Sequence, residues 1–130
     1  SMANRAFDWL NQAVKDLELA KKCRDSGHHE WACFVSPQAA EKAVKALHLY
    51  LGQEAWGHVV ARLIYDLPEG VRVEDRLINM AKVLDNFYIP ARYPDSHPEG
   101  APFEHYGPLQ SEEAIKYACE IVEFVRSKMA

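Results

Sequence analysis

Cysteine is scarce in this chain of 130 residues: only Cys23, Cys33 and Cys119 occur. An odd, sparse set argues against a disulfide framework, and a chain of this length buries a core without staples, so a reducing cytoplasm is the expected setting. No apolar run approaches membrane-spanning length and no signal peptide opens the sequence, so no membrane association is expected. Ser1 ahead of Met2 reads as a cloning remnant, which leaves residues 2–130 as one domain. Positive charge is not in excess either: 15 Lys and Arg stand against 19 Asp and Glu, a formal net charge of −4. That balance argues against a broad basic surface for non-specific nucleic-acid binding. It leaves room for a local basic cleft, which a symmetric pair of copies could build. A phosphate-cradling glycine loop, a serine triad, a paired-carboxylate site, internal repeats and low-complexity stretches are all missing. No segment alternates apolar and polar residues over strand length, which leaves helices.

Helical spacing is plentiful. Trp9, Leu10, Ala13, Leu17 and Ala20 form the stripe of an amphipathic helix over about Arg5 to Asp25, and Asp25-Ser26-Gly27 stops it. A second helix, about His29 to Leu51, carries an alanine-rich stripe suited to close helix approach. The short turn between the two predicts an antiparallel hairpin. Pro37 lies inside the second segment, so either the helix kinks or a new one starts with Ser36 as its cap. Gly57 to Leu67 predicts a short helix, Glu74 to Tyr88 another, and Ser111-Glu112-Glu113 the capped start of the last. The expected fold is all-α: an up-and-down four-helix bundle with an additional short helix.

The stretch before the last helix is different. Pro90 and Pro94 stop regular structure, and the loop runs on through Pro98, Gly100, Pro102 and Pro108. It holds Arg92, Tyr93, Asp95 and His97 within six residues: a guanidinium, a phenol, a carboxylate and an imidazole. Such groups can bind phosphate or move protons. The plainer reading is a proline-stiffened connector whose polar side chains cap helices and face water. His105 and Tyr106 border the loop and are candidates to line the same cleft. Lys42 and Lys45 could join Arg92 on a phosphate, or Glu41 and Lys45 could form an ordinary pair one helical turn apart. His58 reads as a capping or packing residue. Cys23, His28, His29 and Cys33 offer zinc-ligand chemistry around the first hairpin, but Cys33 sits in a core-like run, so no metal and no cofactor is expected.

Together these residues resemble a known family. Trp9…Ala13…Asp16-Leu17…Ala20, then Trp31-Ala32-Cys33-Phe34 and the block Gln38 to Leu47, resemble the first two helices of HEPN domains. Gly57-His58…Leu63, Leu84-Asp85…Tyr88, Arg92-Tyr93-Pro94-Asp95 and Ala114…Ala118…Val125 continue the likeness over nearly the whole chain. The resemblance implies a four-helix bundle that forms a homodimer and binds nucleotide or single-stranded RNA. It implies a toxin–antitoxin-like module with a minimal nucleotidyltransferase as partner, with Arg92, Tyr93, Asp95, Lys42 and Lys45 as binding residues. Many HEPN proteins also carry an Arg-x4–6-His motif and act as metal-independent endoribonucleases at the dimer interface. Arg92 and His97 meet that spacing and are the catalytic candidates, although Arg24 and His29 repeat it elsewhere.

Overall fold

The computed structural model describes residues 2–87 and 93–130. Among them the chain is helical with no strand: α1 (Met2–Asp25), α2 (His29–Tyr50), α3 (Val60–Tyr65), α4 (Asp75–Asp85), the four-residue α5 (Pro102–His105) and α6 (Pro108–Met129). A single 3-10 turn spans Pro94–Ser96. Four long helices and one short one thus build the expected bundle, and the loop adds two helical turns of its own.

The first hairpin follows from its stop signal. Gly27 takes a positive φ of 80°, and the His28 N–H reaches back to the Cys23 carbonyl at 2.7 Å, closing α1 with satisfied carbonyls. The chain turns within three residues and lays α2 along α1. α2 is the central element and packs on α1, α3, α4, α5 and α6. Its alanines explain this: Ala32, Ala39, Ala40, Ala43 and Ala46 are fully buried, so neighbouring backbones come close. Leu47, Val44, Ile64, Leu84, Ile121, Val122 and Val125 fill the space between the helices.

Pro37 neither ends nor restarts α2, which runs unbroken from His29 to Tyr50. Proline removes one N–H from the helical ladder. The residues on either side of it add side-chain bonds to neighbouring carbonyls, Ser36 Oγ to Ala32 at 2.7 Å and Gln38 Nε2 to Phe34 at 3.2 Å. His48, 1% exposed, is also fully engaged, with Nε2 donating to the Leu63 carbonyl and Nδ1 accepting from Gln53 Nε2. It pins α3 to α2. Asp85, at the end of α4, accepts from the N–H groups of Val60 and Ala61 at 2.7 and 3.1 Å and so caps α3 from another helix.

Two boundaries differ from the sequence reading. α4 closes at Asp85, so the expected extension to Tyr88 passes outside the described residues. α6 starts at Pro108 rather than at Ser111. Ser111 is buried within the first turn, hydrogen-bonded to His29 Nδ1 at 2.8 Å, so it ties α6 to the start of α2 instead of capping the helix.

Candidate functional site

Prolines organise the loop. Pro94, Pro102 and Pro108 each open a helical turn, where a fixed φ is favourable and the missing N–H costs nothing. Tyr93 precedes the first of these turns with its side chain exposed, and Asp95 sits within it, also exposed. Arg92 lies outside the described residues.

His97 follows that turn, and its ring does not stand out in solvent. It stacks on the ring of His105, centroids 4.1 Å apart and planes 8° from parallel, and meets Tyr106 edge-on at 5.8 Å. Tyr106 in turn meets Phe87, at the end of α4, edge-on at 6.0 Å. The Nε2 of His97 is buried within this cluster without a hydrogen-bond partner among the described residues. His105 is fixed by its own bond, Nε2 donating to the Glu99 carbonyl at 2.6 Å. Glu104 accepts from the Ala101 N–H, and Gln110 bridges the Gly107 N–H and the His105 carbonyl. Gly100 makes this closure feasible: its φ is +78°, and a Cβ there would meet Glu104 Oε2 at 2.9 Å and His105 Nε2 at 3.1 Å. Burial, more than the influence of Cys33, raises the Tyr106 phenol above its usual range, so it stays a protonated donor at neutral pH.

Of the loop residues, His97 comes together with His105 and Tyr106, while Tyr93 and Asp95 are exposed. The lysines have partners on the helices. Lys42 is bound to Asp16 of α1, and Lys45 to Glu41 at 3.0 Å with its ammonium 6.0 Å from the Trp9 ring. His58 also reaches Glu41, at 3.1 Å. Two of the four candidate zinc ligands are used elsewhere: Cys33 is in the core and His29 is on Ser111. Among the described residues no three His, Cys, Asp or Glu side chains gather to hold a metal. No helix of the described residues is long and apolar enough to cross a membrane.

Comparison with known proteins agrees with the all-helical fold. A family model described as HEPN domain matches residues 6–128. A Methanocaldococcus jannaschii protein named as a candidate toxin, MJ1304, is 28% identical over 127 residues, spanning 91% of this chain and 84% of that protein. The crystal structure of TT1696 from Thermus thermophilus superposes with a TM-score of 0.94 at 51% identity, covering 96% of this chain and 98% of that one. An archaeal HEPN homologue, ST0689, gives 0.82 at 38% identity with 96% and 98% coverage. A HEPN domain protein from Thermotoga maritima gives 0.76 at 33%, with 93% and 96% coverage.

Proposed function

The chain belongs to the HEPN domain family, and from that membership we propose that it binds nucleotide or single-stranded RNA through the loop from Arg92 to Tyr106. In this reading it is the HEPN member of a toxin–antitoxin-like pair, forms a homodimer, and has a minimal nucleotidyltransferase as partner. Its likeness to a protein named as a candidate toxin supports that assignment.

The observation that carries the reading is the placement of His97. Its imidazole is held in position by two neighbouring rings. Arg92, five positions earlier in the sequence, supplies a guanidinium for a phosphate, and exposed Tyr93 offers a face on which a base can stack. Lys42 and Lys45, each already held by a carboxylate, are assigned to helix packing rather than to the phosphate.

A second reading is favoured by the same fixed ring. A general acid–base group has to be held in position, and a histidine at a solvent-facing loop tip would not be. In that reading the homodimer is a metal-independent endoribonuclease. Arg92 binds the scissile phosphate, and His97 takes the 2′-hydroxyl proton or delivers one to the departing 5′-oxygen. The 2′-oxygen bonds to phosphorus as the bond to the 5′-oxygen breaks, leaving a 2′,3′-cyclic phosphate. The test is an EDTA-containing assay on single-stranded RNA with wild type, Arg92→Ala and His97→Ala, each checked for an intact dimer. Cyclic-phosphate products lost in both variants select the nuclease. Binding without cleavage selects the binding module, and neither activity in a folded wild-type dimer rejects both.

A further inference from the structure

The first turn of α2 and the short α5 enclose a separate recess of about 550 Å³, lined by His28, Glu30, Trp31, Phe34, Pro102 and Phe103. Trp31 and Phe34 pack edge-to-face with centroids 4.8 Å apart. Phe103 is 66% exposed and Trp31 54%. Single exposed aromatics are ordinary on protein surfaces. Here, however, they share a recess whose wall also carries a buried carboxylate. Glu30 is only 8% exposed and makes no hydrogen bond among the described residues. The His28 imidazole lies nearby, with Nδ1 at 3.8 Å from its carboxylate, beyond hydrogen-bond reach.

The Glu30 side chain lines the recess, mostly withdrawn from water and with no hydrogen bond from the described residues, so a cation entering the recess gains a carboxylate partner. Aromatic faces beside it attract the same cation through their quadrupoles. We propose that this recess is a docking site for an arginine side chain displayed by a partner protein. Arginine fits better than lysine because a planar guanidinium stacks on rings while its fork engages the carboxylate. The source is a protein rather than the free amino acid. Among the lining side chains, His28 alone could hold an α-carboxylate, and it already faces Glu30. A net charge of −4 also favours encounter with a basic surface. The recess shares Pro102 and Phe103 with the loop proposed to bind RNA but uses neither Arg92 nor His97.

The test titrates N-acetyl-arginine N-methylamide into the full chain and follows amide and indole N–H signals by NMR. The blocked citrulline analogue and free arginine serve as controls. Expected are saturable shifts at the Trp31 indole and at residues 28–34 and 101–104, with citrulline about tenfold weaker. Glu30→Gln and Phe103→Ala should each weaken binding about fivefold while circular dichroism stays unchanged; Phe103 is exposed enough that its loss leaves the fold intact. Citrulline binding as well as arginine, or indifference to both variants, overturns the proposal. So does free arginine binding as tightly as the blocked form, which would make this a small-molecule site. Shifts there that follow protein concentration alone also overturn it, because a second copy would then cover the recess.

Discussion

The imidazole of His97 lies flat on that of His105, 4.1 Å away and 8° from parallel, while Glu99 holds the lower ring by its Nε2. Eight residues of loop are folded back to make that stack, and the glycine at 100 is what permits the close pass beneath Glu104 and His105. His97 is thereby placed by the protein rather than by a ligand. This makes His105 a positioning residue whose loss should be felt through its neighbour.

Replacing His105 with alanine removes the floor of the stack and should lower RNA affinity about tenfold. His105→Phe retains a ring and loses only the bond to Glu99, so it should stay within about twofold of wild type. Fluorescence anisotropy with a short labelled RNA reads both. Equal losses in the two variants would show that stacking is not what positions His97.

Lys42 and Lys45 test the boundary of the site. Because each is bound to a carboxylate, Lys42→Ala should cost about 1 kcal/mol of stability, with Lys45→Ala similar or less. RNA affinity should change by less than about twofold in either, since neither ammonium is free for a phosphate. Urea denaturation and the same anisotropy assay separate the two effects. A loss of affinity matching that of Arg92→Ala would place the lysines in the site.

Asp85 offers a pH test. Burial raises its carboxyl above the ordinary 3.8, outweighing the two N–H bonds from Val60 and Ala61 that act the other way. A group raised in the folded state contributes stability that is full below its unfolded value and is lost as pH rises through the folded one. Asp85→Asn keeps one acceptor and should cost about 1 kcal/mol at pH 7, with the deficit growing as the pH is lowered toward 3.8. Denaturant titrations of both proteins across that range measure it. A deficit that shrinks on acidification would mean that the capping bonds outweigh burial.

Cys33 should be chemically silent in the native state. Burial first, then Glu30 and Glu113, pushes its thiol up to about 12, so its thiolate fraction at pH 8 is about one in ten thousand. A thiol reagent at that pH should label the half-buried Cys23 and Cys119 first, and Cys33 only in denaturant. Mass spectrometry of timed samples decides this. Rapid native labelling at Cys33 would show that the core opens around α2.

Much of the bundle is legible in the sequence because its signals are local. The stripe from Trp9 to Ala20, the stop at Gly27 and the alanines of α2 each act within a few residues. Pro37 is ambiguous from sequence alone, since a proline in a helical run fits a kink, a restart or, as here, one continuous helix. Ser111 looks like a cap, and only contact with His29, 82 positions away, shows its other use. The cluster of His97, His105 and Tyr106 is local too, its rings lying within ten residues of sequence. The Lys42–Asp16 pair is not, because Asp16 lies 26 positions earlier on another helix. Glu30 gives no warning either: an acid in the first turn of a helix resembles an ordinary dipole partner, and its burial is a tertiary fact.

The central claim is that the loop from Arg92 to Tyr106 binds RNA through Arg92 and His97. The most direct measurement is the affinity of a short single-stranded RNA for wild type, Arg92→Ala and His97→Ala in EDTA, at one fixed salt concentration. The expected result is a loss of about tenfold or more in each variant with the fold intact. Wild-type affinity in both folded variants would contradict the claim and move the binding surface elsewhere on the bundle.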